Sequence, residues 1–80
     1  GAEVSRIGEL YDLGLDYLKL DASLCVKINE NQGNQIFIRG LCTIAHSIGL
    51  MIIAEGVSEQ NDWDCLCELG IDGGMGELFS

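Results

Sequence analysis

Apolar positions along this chain recur with two alternating periods. Val4, Ile7, Leu10 and Tyr11, with Leu13 at the margin, are three or four residues apart, which gathers them on one face of a helix from Glu3 to Leu13. Gly14 supplies its stop. The period then shortens to two across Leu15 to Leu20, a strand with Leu18 and Leu20 on one face and Tyr17 and Lys19 on the other, ended by Asp21. Ala22 to Ile28 is apolar but irregular, which suggests a short helical turn, and Asn29 to Asn34 is a polar loop. A second helix is expected from Gln35 to Ser47, with Ile36, Phe37 or Ile38, Leu41, Cys42, Ile44 and Ala45 buried, and Ile48 beyond it, before Gly49. So wide an apolar arc calls for cover on more than one side. Gly40 inside that helix costs about 1 kcal/mol relative to alanine, so it implies close packing against a neighbour.

Leu50 to Ala54 is too short for a helix and apolar throughout, the signature of a strand buried on both faces, and Glu55-Gly56 marks where it emerges. Ser58 is the expected N-cap of a third helix, with Glu59, Asp62 and Asp64 near its positive end and Trp63, Leu66, Cys67 and Leu69 on its buried side. Gly70 stops it, Ile71 to Gly76 forms a glycine-rich last strand, and Leu78 and Phe79 have no assigned place. Helices alternating with short buried strands define an α/β fold with parallel pairing and right-handed crossovers. Three such units cannot close a barrel, which needs eight and about 250 residues. An 80-residue chain of this kind is expected to be one part of a larger TIM-type (β/α)8 barrel rather than an independent open sheet.

Charge narrows the partners. Thirteen acidic residues against four basic ones give a formal charge of −9, which disfavours DNA, RNA and anionic membrane surfaces, all of which need clustered Lys and Arg. No stretch approaches the roughly 20 apolar residues of a membrane span, and nothing resembles a signal peptide, so the segment itself is expected to make no membrane contact. The four cysteines fall in apolar-periodic segments, which suggests reduced, buried thiols and a cytoplasmic location, while leaving open an inner-membrane anchor elsewhere in a longer parent. Cys65 and Cys67 are two apart in a helix, so their side chains diverge and do not form a zinc clip.

The candidate chemistry lies at the strand C-termini, where α/β folds open onto solvent: Lys19 and Asp21, then Glu55, then the Gly74-Met75-Gly76 tip. A lysine with a carboxylate can position a metal-bound water and stabilise phosphate charge, as metal-assisted phosphodiester hydrolysis requires. The bland alternatives are a loop cap at Glu55 and a surface pair of little energetic weight at Lys19 and Asp21. His46 reads as a core or helix-end histidine and Trp63 as core. Gly73 to Gly76 lacks the following helix start of a phosphate loop.

Leu18-Lys19-Leu20-Asp21-Ala22-Ser23-Leu24, Ala45-His46-Ser47-Ile48-Gly49-Leu50, Ile53-Ala54-Glu55-Gly56-Val57 and Glu68-Leu69-Gly70-Ile71-Asp72-Gly73, with Gly76 and Phe79-Ser80, occur in order along the chain. Together they resemble the C-terminal third of an EAL domain, the family of bacterial cyclic di-GMP phosphodiesterases built on a TIM-type barrel. The resemblance implies that Lys19 is catalytic and orients a metal-bound water, and that Asp21 is its neighbouring carboxylate in the ligand site. It implies that Glu55 is catalytic and helps hold a divalent metal, directly or through water. Mg2+ or Mn2+ is the implied cofactor of the intact domain, with none expected on this segment alone, because the Glu-Ala-Leu motif, the metal-binding Asn and Glu and the paired aspartates would lie upstream.

Two departures qualify the resemblance. Ser58 stands where active members carry a second glutamate, and Met75 stands where they carry glutamine, followed here by Gly76-Glu77 instead of glycine and an aromatic residue. A thioether cannot make a carboxamide's hydrogen bonds, and Glu77 places negative charge near an anionic ligand. The implied function is a degenerate sensor that binds cyclic di-GMP without turnover. The alternatives are an active phosphodiesterase that opens the ring to a linear dinucleotide, and a protein-interaction module that binds no nucleotide. Implied partners are cyclic di-GMP, attached signalling domains of the parent and a second copy in a homodimer.

Overall fold

A computed structural model describes residues 16–80. The expected helix over Glu3 to Leu13 and its stop at Gly14 lie outside the described residues. Three strands, β1 (Tyr17–Leu20), β2 (Met51–Ala54) and β3 (Gly73–Gly74), form one parallel sheet in the order β1-β2-β3. Tyr17 to Leu20 pair in register with Met51 to Ala54, and Ile53 and Ala54 with Gly73 and Gly74. Helix α1 (Ala22–Cys25), a 3-10 turn (Ile28–Glu30) and helix α2 (Gln32–Ser47) cross from β1 to β2. Helix α3 (Gln60–Leu69) crosses from β2 to β3, and a 3-10 turn (Glu77–Phe79) follows. None of these helices is long and apolar enough to cross a membrane.

The main core lies between one face of the sheet and the helices: Leu20, Ile52 and Ala54 pack with Ile28, Ile38, Cys42, Ala45, Leu66 and Leu69. The opposite face carries a second, smaller cluster in which Ile53 is buried by Tyr17, Met51 and Met75. This split is the period-two geometry of strands buried on both sides, as the run around Ile52 and Ile53 predicts.

Several local expectations change. Helix α2 starts at Gln32, not Gln35, because Asn31 caps it by accepting a hydrogen bond from the Asn34 N–H at 3.0 Å. Its buried stripe is narrow, Ile38, Cys42 and Ala45, at the i, i+4, i+7 spacing of a single helix face. Ile36, Phe37, Ile44 and Ile48 are exposed, Ile36 to 75%, since among the described residues the helix packs mainly on β2, α3 and the Ile28–Glu30 turn. Among the described residues a Cβ at Gly40 would meet nothing within 4 Å, so no close approach by them explains that glycine. Ser58 is not the N-cap of α3. Glu59 takes that position without a side-chain cap bond. Cys67 is exposed and Cys65 half-buried, and no disulfide joins the four cysteines. Burial pushes the Cys25 and Cys42 thiols up to about 11, so neither is a nucleophile at neutral pH. Phe79 packs edge-on against Trp63, ring centroids 5.0 Å apart at 82°, which gives the apolar end of the chain its place.

Candidate functional site

The three strands end level with one another. The Glu55 N–H donates to the Leu20 carbonyl at 3.0 Å, and the Met75 N–H to the Ala54 carbonyl at 2.8 Å. Asp21, Glu55 and Met75 are therefore the first residues past the C-terminal edge of β1, β2 and β3. Strand alternation assigns Lys19 to the face that carries Tyr17, and Glu55 to the face that carries Ile53, the same side on which Met75 packs. Lys19, Glu55 and Met75 thus share one edge and one face. Lys19 is exposed and Glu55 half-buried, and among the described residues neither takes part in an ion pair.

Asp21 stands beside them in a more constrained role. Its Oδ2 accepts from the Ser23 N–H at 2.9 Å and the Ser23 hydroxyl at 2.5 Å, so it caps α1 and its carboxyl is held below the ordinary aspartate value. Oδ1 makes no hydrogen bond within the described residues. Two glycines hold the surrounding loops together. Gly56 has φ 71° and lies so close to α1 that a Cβ there would overlap the Ala22 side chain. Gly76, at φ 141°, lies against the Val57 backbone, and the Val57 N–H donates to the Met75 carbonyl at 2.8 Å. The loop after β2 is consequently wedged between the ends of β1 and β3.

Asp62 was legible in the sequence only as a charge near a helix start. The structure buries it to 8% exposure, and its two oxygens accept from the Lys27 N–H at 3.2 Å and the Asn29 N–H at 3.1 Å. Its position on α3 gives no sequence signal for this, because the partners are backbone amides more than thirty residues away. His46, in the last turn of α2, reaches Asp72 Oδ2 at 2.6 Å, and the same oxygen accepts from the Ile52 N–H at 2.8 Å. That pair anchors the helix end near the start of β2, away from the Glu55 edge. A groove of about 920 Å³ opens among the Ile28–Glu30 turn, α2 and α3, lined by Asn29, Glu30, Gln35, Asp64 and Glu68, and contains none of Lys19, Asp21, Glu55 or Met75.

Among the described residues no three His, Cys, Asp or Glu side chains gather to hold a metal ion.

Residues 1–80 match the sequence profile of the EAL domain. The chain belongs to the EAL-domain family. The cyclic di-GMP phosphodiesterase PdeR of Escherichia coli is 29% identical over 80 residues, all of this chain and 12% of PdeR. The RNase E specificity factor CsrD of Escherichia coli is 28% identical over 69 residues, 86% of this chain and 11% of CsrD. Among solved structures, the calcium and cyclic di-GMP complex of Klebsiella pneumoniae BlrP1 superposes with a TM-score of 0.78 at 30% identity, over all of this chain and 20% of that one. BlrP1 is also known with manganese and cyclic di-GMP. The chain spans about a tenth of the length of PdeR and CsrD. Its parallel strands and crossover helices are βα units of the EAL domain's TIM-type barrel, in which the Tyr17, Ile53 and Met75 face corresponds to the barrel interior and the Glu55 edge to its mouth.

Proposed function

We propose that this chain is the C-terminal part of an EAL domain in a larger signalling protein, that it forms one wall of a cyclic di-GMP site, and that the parent binds this ligand without hydrolysing it. The observation that carries the reading is the grouping of Lys19 and Glu55 on one face at the C-terminal edge of the sheet, neither of them ion-paired among the described residues, with Met75 as the third member. A lysine so placed can form a charge-assisted hydrogen bond to a ligand phosphate. Glu55 is the carboxylate this chain would add to metal donors from the rest of the domain, and Asp21 keeps Oδ1 available beside it. Bound divalent metal would supply charge neutralisation and an activated water.

Met75 favours binding without turnover. Its thioether is at best a weak acceptor and donates nothing, so it cannot orient a phosphodiester or a water as a carboxamide can. Retention of both Lys19 and Glu55 favours the rival reading, an active phosphodiesterase. Incubating the intact parent with cyclic di-GMP and Mn2+, beside a Met75→Gln variant, separates the two by chromatography of the products. We expect no linear dinucleotide from the unmodified protein and detectable product from the variant. Product from the unmodified protein would make it an enzyme that tolerates Met75.

A further inference from the structure

We propose that Asp62 is a positioning residue for the cyclic dinucleotide site: it clamps the turn after α1 to the start of α3, and so fixes Asp21 relative to Glu55. The inference rests on the ligand reading above for its functional consequence, but the clamp itself stands on contacts within the chain.

The segment from Val26 to Asn31 needs an anchor. Lys27 adopts the left-handed conformation, φ 55° and ψ 30°, which a residue with a side chain seldom occupies unless its surroundings hold it there. Asp62 provides the hold. Oδ2 takes the Lys27 N–H and Oδ1 the Asn29 N–H, so both oxygens of one buried carboxylate secure amides on either side of Ile28. Ile28 itself is fully buried, and its carbonyl accepts from the Gln35 side chain at 2.9 Å. The turn is thereby fixed by α3 and by α2.

This turn begins where α1 ends, at the Val26 N–H donating to the Ala22 carbonyl at 2.9 Å. Ala22, at the other end of α1, rests on Gly56, the residue after Glu55. Asp21 is the cap of that same short helix. A four-residue helix does not hold its own position in water, so its ends must be held by neighbours. One end is pressed against the Glu55 loop and the other is tied through Asp62 to the helix that this loop enters. The ring of contacts closes at Asp62.

The test uses the full-length protein with Asp62→Asn and Asp62→Leu, and Ile38→Val as a core control that lowers thermal stability while leaving both Asp62 hydrogen bonds in place. Amide exchange is followed at Lys27 and Asn29, and cyclic di-GMP affinity by calorimetry. Asn keeps one acceptor and turns an N–H2 toward the other amide. We expect faster exchange at both amides and roughly tenfold weaker binding in Asp62→Asn, the scale on which supporting residues tune a site. Ile38→Val should leave affinity unchanged. The proposal is overturned if exchange at Lys27 and Asn29 is unaltered in the Asp62 variants, or if affinity falls no further than in Ile38→Val. An unmodified protein that binds no cyclic di-GMP would instead remove the ligand reading, and the exchange data would still decide the clamp.

Discussion

Lys19 is the residue whose role follows most directly from its surroundings. It is exposed near the C-terminal end of β1 and has no ion pair among the described residues, so its ammonium is available to an anionic ligand. Lys19→Met in the full-length protein should weaken cyclic di-GMP binding by about ten- to a hundredfold, the range of a lost hydrogen bond to a charged group, with little change in melting temperature. Calorimetry and a thermal melt together check this. Asp21 gives a pH signature. Its folded carboxyl titrates below the ordinary value of 3.8, so the cap contributes stability that is present above that pH and is lost as pH falls through the lower, folded value. The Ser23 amide resonance should therefore keep its capped position through the ordinary aspartate range and move only in stronger acid. Movement centred on the ordinary aspartate value would remove the cap as its cause.

At the scale of elements, the loops after the strands are set by close backbone contact more than by side-chain chemistry. Gly56 needs a positive φ and has α1 against it. Gly56→Ala combines conformational strain with overlap at Ala22 and should destabilise the domain by about 2–4 kcal/mol, measured by denaturant unfolding of the full-length protein. Helix α2 is held at its start by one side chain. Asn31→Ala should remove about 1 kcal/mol, whereas a start at Gln35 would make that substitution neutral. The cap also explains why the polar run from Asn29 to Asn34 misleads when read as loop. Asn is favoured both in turns and at the first capping position of a helix, and composition alone does not separate the two uses.

At the scale of the whole molecule, the sheet has, among the described residues, β1 and β3 as its outer strands, and the side chains of its second face form the small cluster around Ile53. Unpaired strand edges associate with other chains, so the isolated 80-residue segment should show concentration-dependent self-association by sedimentation. Co-expression with the remainder of its parent domain should suppress it. The alternation of helix and strand, the two-sided burial of Ile52 and Ile53, and the emergence of Glu55 at a strand end were all legible from spacing, because local periodicity reports directly which residues face a core. The resemblance to EAL domains was legible for the same reason: its motifs sit at fixed distances along the chain. Tertiary structure alone decided how much of α2 is covered by the described residues, that none of them closely approaches Gly40, that Asp21 is engaged by Ser23, and that Asp62 reaches across to Lys27 and Asn29. Those outcomes depend on which surfaces meet between residues far apart in the chain, and a pattern of types along a line carries no record of the distance at which folding brings them together.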